Sequence, residues 1–463
     1  MTGASEAPAL VRRLGARDGA LITIGAVIGT GIFLTGGDVA RAVPHPALIL
    51  LVWAVGGLVT LAGALTYAEL GVLIPRAGGL YDYLRAAYGP VWGFFYGWAS
   101  LLVIMSGGIA AIAVGFGEYF GSFAPFFSSR HTLFDVTIGG AHWAPTGAQL
   151  AAVLAIVALT GINHFGVREG AATQNLLTAL KVGAIVGFVV LGALAPFHGA
   201  AFHAAPAPTG MLAGFGVGMI AALWTYDGWY GLTFSAGEMR DPGRTLPIGL
   251  IAGTLAITLL YVAMNAVYLR ALPVEAMAHG TRTAEDAAMA LFGGGGARLV
   301  SLLVVVASFG CLASTILYSS RIYQPMAADG VFFRSIATIH PRFHTPTRSL
   351  WLQSAWAIVL ALSGSYTQLF TWVTFAVVLF HVAVGAAVFV LRAKWPLAPR
   401  PYRAWGYPAV PALFILSMTL LMLNTLVQCP TESLVGLATI AAGWPAYAWW
   451  RRRAPAVAGT PSR

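Results

Sequence analysis

The sequence predicts an all-α polytopic membrane protein of twelve transmembrane helices, the first and the sixth broken near their centres. Three observations carry that expectation. Of 463 residues, 58% are hydrophobic and only 9% charged, whereas a soluble domain is about a quarter charged. Apolar runs recur along nearly the whole chain at the length a bilayer requires, about 20 residues. Two of these runs carry glycines, and one an acid, at the depth where a helix should be most regular.

The runs fall at 19–36, 46–74, 91–120, 146–165, 173–194, 211–236, 246–269, 297–327, 349–363, 366–391, 407–427 and 431–450, the ninth being the shortest. Ahead of them, 1–18 has no apolar core and reads as a cytoplasmic N-terminal segment rather than a cleaved signal. The basic residues orient the chain. With the N-terminus inside, the outer loops hold only Arg41, Arg130, Arg270, Arg282 and Arg298. Apart from Lys181, every other Lys and Arg falls inside, including Arg12, Arg13, Arg76, Arg85, Arg168, Arg392 and the tail 451–463. An even number of spans is needed to keep that bias. The expected location is the plasma membrane, both termini cytoplasmic. The net charge of +10 is therefore a membrane-topology signal and not a nucleic-acid footprint.

The first run contains "GAVIGTGIF", from Gly25 to Phe33. Each glycine costs a helix interior roughly 0.5–1 kcal/mol relative to alanine. Close helix packing of the G-x-x-x-G kind is one explanation, and Gly25 and Gly29 have that spacing. A break is the other. The sixth run has a matching centre, "WTYDGWYG", from Trp224 to Gly231. Irregular backbone and an acid at that depth are tolerated only where protein or a cavity surrounds them. Spans one and six occupy equivalent positions if the first ten form two units of five, the second inverted. Paired interruptions of that kind point to a transporter's substrate site. A broken helix offers N–H groups that suit a carboxylate and carbonyls that suit an ammonium. An α-amino acid presents both.

These residues resemble the amino acid–polyamine–organocation (APC) superfamily, most closely its L-type amino acid transporter branch and bacterial relatives. The resemblance lies in "IGAVIGTGIF", in "YAELGVLIPRAGGLYDYLRAAYGP" (67–90), in "LWTYDGWYGLTFSAGEMRDPGRTLP" (223–247) and in "SFGCLASTILYSSRIYQPMAADGVFF" (308–333). It implies a ten-helix inverted-repeat transport core at 19–392 and two peripheral helices at 393–450. It further implies a carboxylate site at Gly29, Thr30 and Gly31, with the carbonyls of Val27 and Ile28 facing the amine. Trp224 would be an outer gate, with Thr225, Tyr226, Asp227 and Gly228 lining the substrate side chain. Mammalian L-type proteins attach a glycoprotein partner through a cysteine after the third helix. The loop 121–145 has none, so no disulfide-linked heavy subunit is expected.

Lys181 is the one cation within a span. In the resembled family a lysine here replaces sodium, which implies sodium independence. Proton binding and a purely structural role both stay open for it. Asp227 can attract the substrate amine or cap the second half of the broken helix. Glu69, Glu238 and Asp241 are candidates to pair with arginines at the inner gate, and Glu118 reads as interfacial. The ten histidines form no metal motif, although His340 and His344 are four apart, and no cofactor is implied. Both cysteines, Cys311 and Cys429, lie in apolar runs. The expected activity is secondary transport of amino acids by exchange or proton coupling. A sodium-coupled symporter on the same fold is the alternative. A polytopic membrane enzyme would need a clustered catalytic set, and none is visible.

Overall fold

The computed structural model describes residues 14–76, 78–138, 141–165, 170–196, 211–343, 345–364 and 366–453. Arg12, Arg13, Arg168, His198, His203, His344 and the end of the basic tail lie outside the described residues. The chain is a bundle of helices. The exception is a hairpin of β1 (Val136–Ile138) and β2 (Ala141–Trp143), antiparallel with Val136 opposite Trp143. It sits in the loop before helix α8, which sequence periodicity left unassigned.

The first run is three helices: α1 (Ala16–Val27), α2 (Gly31–Leu34) and α3 (Gly36–Ala42). Then come α4 (Pro46–Leu73), a short amphipathic α5 (Leu80–Tyr88), and α6 (Pro90–Ala99) joined to α7 (Met105–Phe120). A π-turn at Ser100–Ile104 links the last two without interrupting the span. Next follow α8 (Gly147–His164), α9 (Gly170–Leu194) and α10 (Met211–Tyr226). Beyond α10 the chain continues as a 3-10 helix, Trp229–Glu238. The second half comprises α11 (Pro242–Ala271), α12 (Val274–His279), α13 (Thr283–Ala328), α14 (Thr347–Ser363) and α15 (Tyr366–Lys394). The chain ends with α16 (Ala409–Gln428), α17 (Pro430–Ala441) and α18 (Gly443–Arg453). Helix α18 carries on through Arg451–Arg453, where the sequence suggested a tail, and cations at a helix C-terminus are favoured by its dipole.

Among the described residues, seven helices are long and apolar enough to cross a membrane. Pro46 and Pro90 open α4 and α6 at the first helical position, where no N–H is needed. Thr146 caps α8 through a reciprocal bond with Gln149. Gly293 at φ +68 divides α13 between an amphipathic start and the buried span proper, a conformation glycine adopts without strain. Helix α1 lies in the centre, packed on α9, α11, α13 and the 3-10 segment.

One end of the bundle is tied by ion pairs. Arg392 holds Glu69 through two hydrogen bonds of 2.8 and 2.7 Å. Arg400 approaches the same carboxylate at 3.4 Å, and the Ala404 N–H donates to it at 2.6 Å. Glu238 pairs with Arg321 at 2.8 Å. Arg85 and the Tyr81 hydroxyl meet Asp329 at 2.8 and 2.7 Å. Asp241 instead caps α11, accepting from the Arg244 N–H. Glu118 accepts from the Ser129 hydroxyl at 2.8 Å.

Candidate functional site

Helix α1 stops at Val27. Ile28 has ψ +89, so the helical ladder cannot continue, and the Gly29 N–H turns back to the Val27 carbonyl at 2.8 Å. The next helix starts at Gly31. Glycine is needed here for space as well as flexibility. A Cβ on Gly31 would lie 2.9 Å from Thr225 Oγ1, and one on Gly29 would lie 2.9 Å from Cys311 Sγ. Close packing and the break are thus both present at these glycines.

The four carbonyls freed by the break are met by three donors, each from a different helix. Lys181 Nζ donates to the carbonyls of Gly25 and Ile28, at 3.4 and 3.3 Å. Cys311 Sγ donates to Ala26 at 3.2 Å, and the Tyr261 hydroxyl to Val27 at 3.2 Å. Lys181 itself is 1% exposed. On the other side of the gap, the N–H groups of Thr30, Gly31 and Ile32 have no backbone acceptor among the described residues. Thr30 Oγ1 is buried and likewise without a partner.

The second break falls between Tyr226 and Trp229. Gly228 takes φ +94, and a Cβ there would sit 3.0 Å from the Ala26 carbonyl oxygen. The two breaks therefore touch, glycine against carbonyl. Asp227 stands immediately before Gly228, the N-cap of the restarted helix, with the Gly228 N–H and the Tyr230 hydroxyl beside its carboxylate.

Both breaks line one cavity of about 480 Å³, counting its open mouth. Val27, Gly29, Thr30, Gly31, Trp224, Thr225, Asp227 and Gly228 contribute to it. Ile28 and Tyr226 do not. Ile28 is fully buried and meets the site only through the carbonyl that Lys181 holds. Tyr226 points away from its neighbours on α10, and its hydroxyl donates to the Trp53 carbonyl at 3.0 Å. The Thr225 hydroxyl bonds Thr35 Oγ1 at 2.7 Å, which ties the two broken segments together. Lys181 lies behind the break, outside the cavity lining. The rest of the wall comes from Ile104, Met105, Gly108 and Ile112, around and within α7, and from Cys311, Thr315 and Tyr318 on α13. Sequence reasoning named none of these as lining. A spacing of four and then three among polar residues in an apolar helix puts Cys311, Thr315 and Tyr318 on one face, and was the available signal. Among the described residues no cluster of His, Cys, Asp and Glu could hold a metal.

Two broken helices thus meet at one cavity, with N–H groups on one side of the gap and carbonyls on the other. The family model described as amino acid permease matches residues 14–442. The chain belongs to the amino acid permease family. It is 31% identical to the serine/threonine exchanger SteT of Bacillus subtilis (strain 168), over 97% of this chain and 99% of that one. It is 28% identical to the human large neutral amino acids transporter small subunit 2, over 96% of this chain and 82% of the relative. The human b(0,+)-type amino acid transporter 1 is also 28% identical, over 91% and 84%. This permease thus stands in the APC superfamily, beside the L-type transporters and their bacterial relatives, and is a multi-pass membrane transporter rather than an enzyme. Neither Cys311 nor Cys429 forms a disulfide.

Proposed function

We propose that this permease is a sodium-independent amino acid exchanger of the plasma membrane, working by alternating access around the cavity between the two breaks. The observation that carries this is the pairing of the N–H groups of Thr30 and Gly31, which have no backbone acceptor, with the carbonyls of Ala26 and Val27 and the carboxylate of Asp227 on one cavity wall. The substrate carboxylate takes the N–H groups, which also carry the partial positive charge of a helix start. The ammonium takes Asp227 and the second lone pairs of the carbonyls. Small and medium neutral amino acids suit the narrow space beside Trp224, in keeping with the serine/threonine name of the Bacillus relative. Trp224, 7% exposed, is the outer gate.

The architecture we assign is twelve spans with cytoplasmic termini. Residues 19–392 form the five-plus-five inverted repeat, 393–450 the peripheral helices, and 1–18 and 451–463 the cytoplasmic ends. The contact of α4 with α11, the second spanning helix of each repeat, supports this, since a two-fold axis places such mates together. Lys181 supports sodium independence: its ammonium already holds two carbonyls freed by the first break. No disulfide-linked subunit joins at 121–145, which has no cysteine. The test is counterflow in proteoliposomes loaded with a panel of unlabelled amino acids. Labelled neutral amino acids should accumulate transiently with choline as the only external cation. Accumulation confined to sodium buffer would replace exchange by sodium symport.

A further inference from the structure

At the end of the bundle that holds Glu69 and Arg392, a cavity opens between the end of α4, helix α5 and the chain just past α15. It measures about 920 Å³, counting its open mouth. Leu73 and Ile74 give it an apolar wall, Trp395 adds an indole, and Arg76, Asp82 and Arg85 bring charge. None of these residues lines the substrate cavity. Arg76 is exposed, and among the described residues its guanidinium makes no hydrogen bond. Arg85 commits one nitrogen to Asp329 at 2.8 Å and is 38% exposed. Two guanidinium forks opening on one cavity suit the oxygens of a phosphate.

The charges around this cavity leave one cation over. Its cations are Arg76, Arg85 and, beside it, Lys394, whose ammonium donates to the Ala87 carbonyl at 2.6 Å. Its acids are Asp82 and, through Arg85, Asp329. Asp82 is 7% exposed, with the Gly78 N–H beside its carboxylate, so little of it is presented to the opening. Nearby, Arg392 and Arg400 share the single carboxylate of Glu69, so the surroundings are positive as well. One monovalent anion brings the cavity to neutrality, whereas a zwitterion leaves the surplus in place. The mouth also lies at a membrane boundary. Trp395 is 40% exposed and Trp92, packed on Tyr88 of α5, is 41% exposed, and exposed tryptophans at the ends of spans sit at the level of lipid headgroups.

We propose that this cavity holds the phosphodiester of an anionic membrane lipid. The phosphate oxygens take the guanidinium of Arg76 and the uncommitted nitrogens of Arg85. The glycerol and the upper part of the chains lie against Leu73, Ile74 and Trp395. Basic pockets between the ends of spanning helices recognise headgroups in this way, and the cytoplasmic side, to which the orientation assigned above gives this end, is where anionic lipids concentrate. A soluble phosphate would satisfy the same arginines and leave the apolar wall unused. Arg85 then joins the headgroup to Asp329, just past α13, so the lipid sits on the contact between α5 and α13.

The test is a lipid titration of the purified, delipidated permease in detergent, with bound lipids counted by native mass spectrometry. Dioleoyl phosphatidylglycerol is the anionic probe and dioleoyl phosphatidylethanolamine the zwitterionic one. The first phosphatidylglycerol should bind about tenfold or more tightly than phosphatidylethanolamine, the value of one charge-assisted contact. Arg76→Gln removes a side chain that holds nothing else, so the protein should keep its size-exclusion profile and lose that preference. Arg342→Gln, an exposed arginine outside the cavity, should keep it. An excess of inorganic phosphate should not displace the bound lipid. Equal affinity of wild type for the two lipids overturns the proposal, as does a wild-type preference in Arg76→Gln. Equal losses in Arg76→Gln and Arg342→Gln would replace the site by general surface charge. Displacement by inorganic phosphate would make the ligand a soluble anion and overturn the lipid assignment.

Discussion

Replacing Lys181 with methionine keeps the length and volume of the side chain and removes its ammonium. Two carbonyls, Gly25 and Ile28, then lose the donor that reaches them at 3.4 and 3.3 Å. A buried polar group left unsatisfied costs about 1–3 kcal/mol, so two cost about 2–6. The contacts are long, which favours the lower half of that range. At about 1.4 kcal/mol per factor of ten, the expected loss is some 30-fold or more. Its location matters more than its size. Both carbonyls belong to the break in the first helix, so the loss should appear in substrate affinity and turnover while the bundle stays folded. Initial rates of L-serine exchange should be measured for wild type and Lys181→Met, in sodium and in choline. Wild-type rates should be the same in both salts, and the variant should fall in both. A variant with wild-type rates would show that the ammonium does not support the break. Saturable stimulation of wild type by sodium would show that a metal ion, and not this ammonium, completes the site.

A decarboxylated substrate loses at least one charge-assisted contact, worth about 1.5–3 kcal/mol each. Competition assays should therefore rank ethanolamine at least tenfold below L-serine, and equal potency would empty the N–H site at Thr30 and Gly31. Gly228→Ala forces φ +94 on a residue with a Cβ and presses it on the Ala26 carbonyl at 3.0 Å. Strain of about 1–2 kcal/mol at the junction of the two breaks should lower exchange tenfold or more at normal membrane abundance. Trp224→Ala should cut uptake by a similar factor in a folded protein, checked by size-exclusion profile, and normal uptake would put the gate elsewhere. Glu69→Gln removes the partner of a largely buried arginine cluster, at about 3–5 kcal/mol. The melting temperature in detergent should drop by several degrees, and no change would show that Arg392 and Arg400 find other partners.

The breaks were legible because glycine and a buried acid have few alternative uses at membrane depth. Gly29, Gly31, Asp227 and Gly228 sit where the chain leaves helical geometry. Lys181 was visible for the same reason, and its strut contacts follow from burial. What stayed hidden came from regular helices. Ile104, Met105 and Ile112 resemble any lipid-facing residue until the fold turns them toward a cavity. Cys311, Thr315 and Tyr318 share one face, but a helical stripe does not say what it faces. Glu69 could be paired with an inner arginine in general terms. Its choice of Arg392, 323 positions away, is a property of packing. Tyr226 was assigned to the site with its neighbours, and helical geometry turns it to Trp53 instead. The hairpin at Val136–Trp143 and the ten-residue 3-10 helix had no periodic signal to find.

The clasp around Glu69 constrains how the bundle can move. It unites α4, α15 and the chain at Arg400 and Ala404, with a carboxylate only 2% exposed, whereas the Arg85–Asp329 pair at the same end is 38% and 25% exposed. Parting the buried cluster costs about 3–5 kcal/mol, and an exposed pair costs about 0–1. In the alternating-access cycle proposed above, opening of this end would release α5 from the end of α13 before it parted the Glu69 cluster. In that cycle the clasp would be a pivot and the exposed pair a latch, and the passage would open lopsidedly, like a door and not like a pair of jaws.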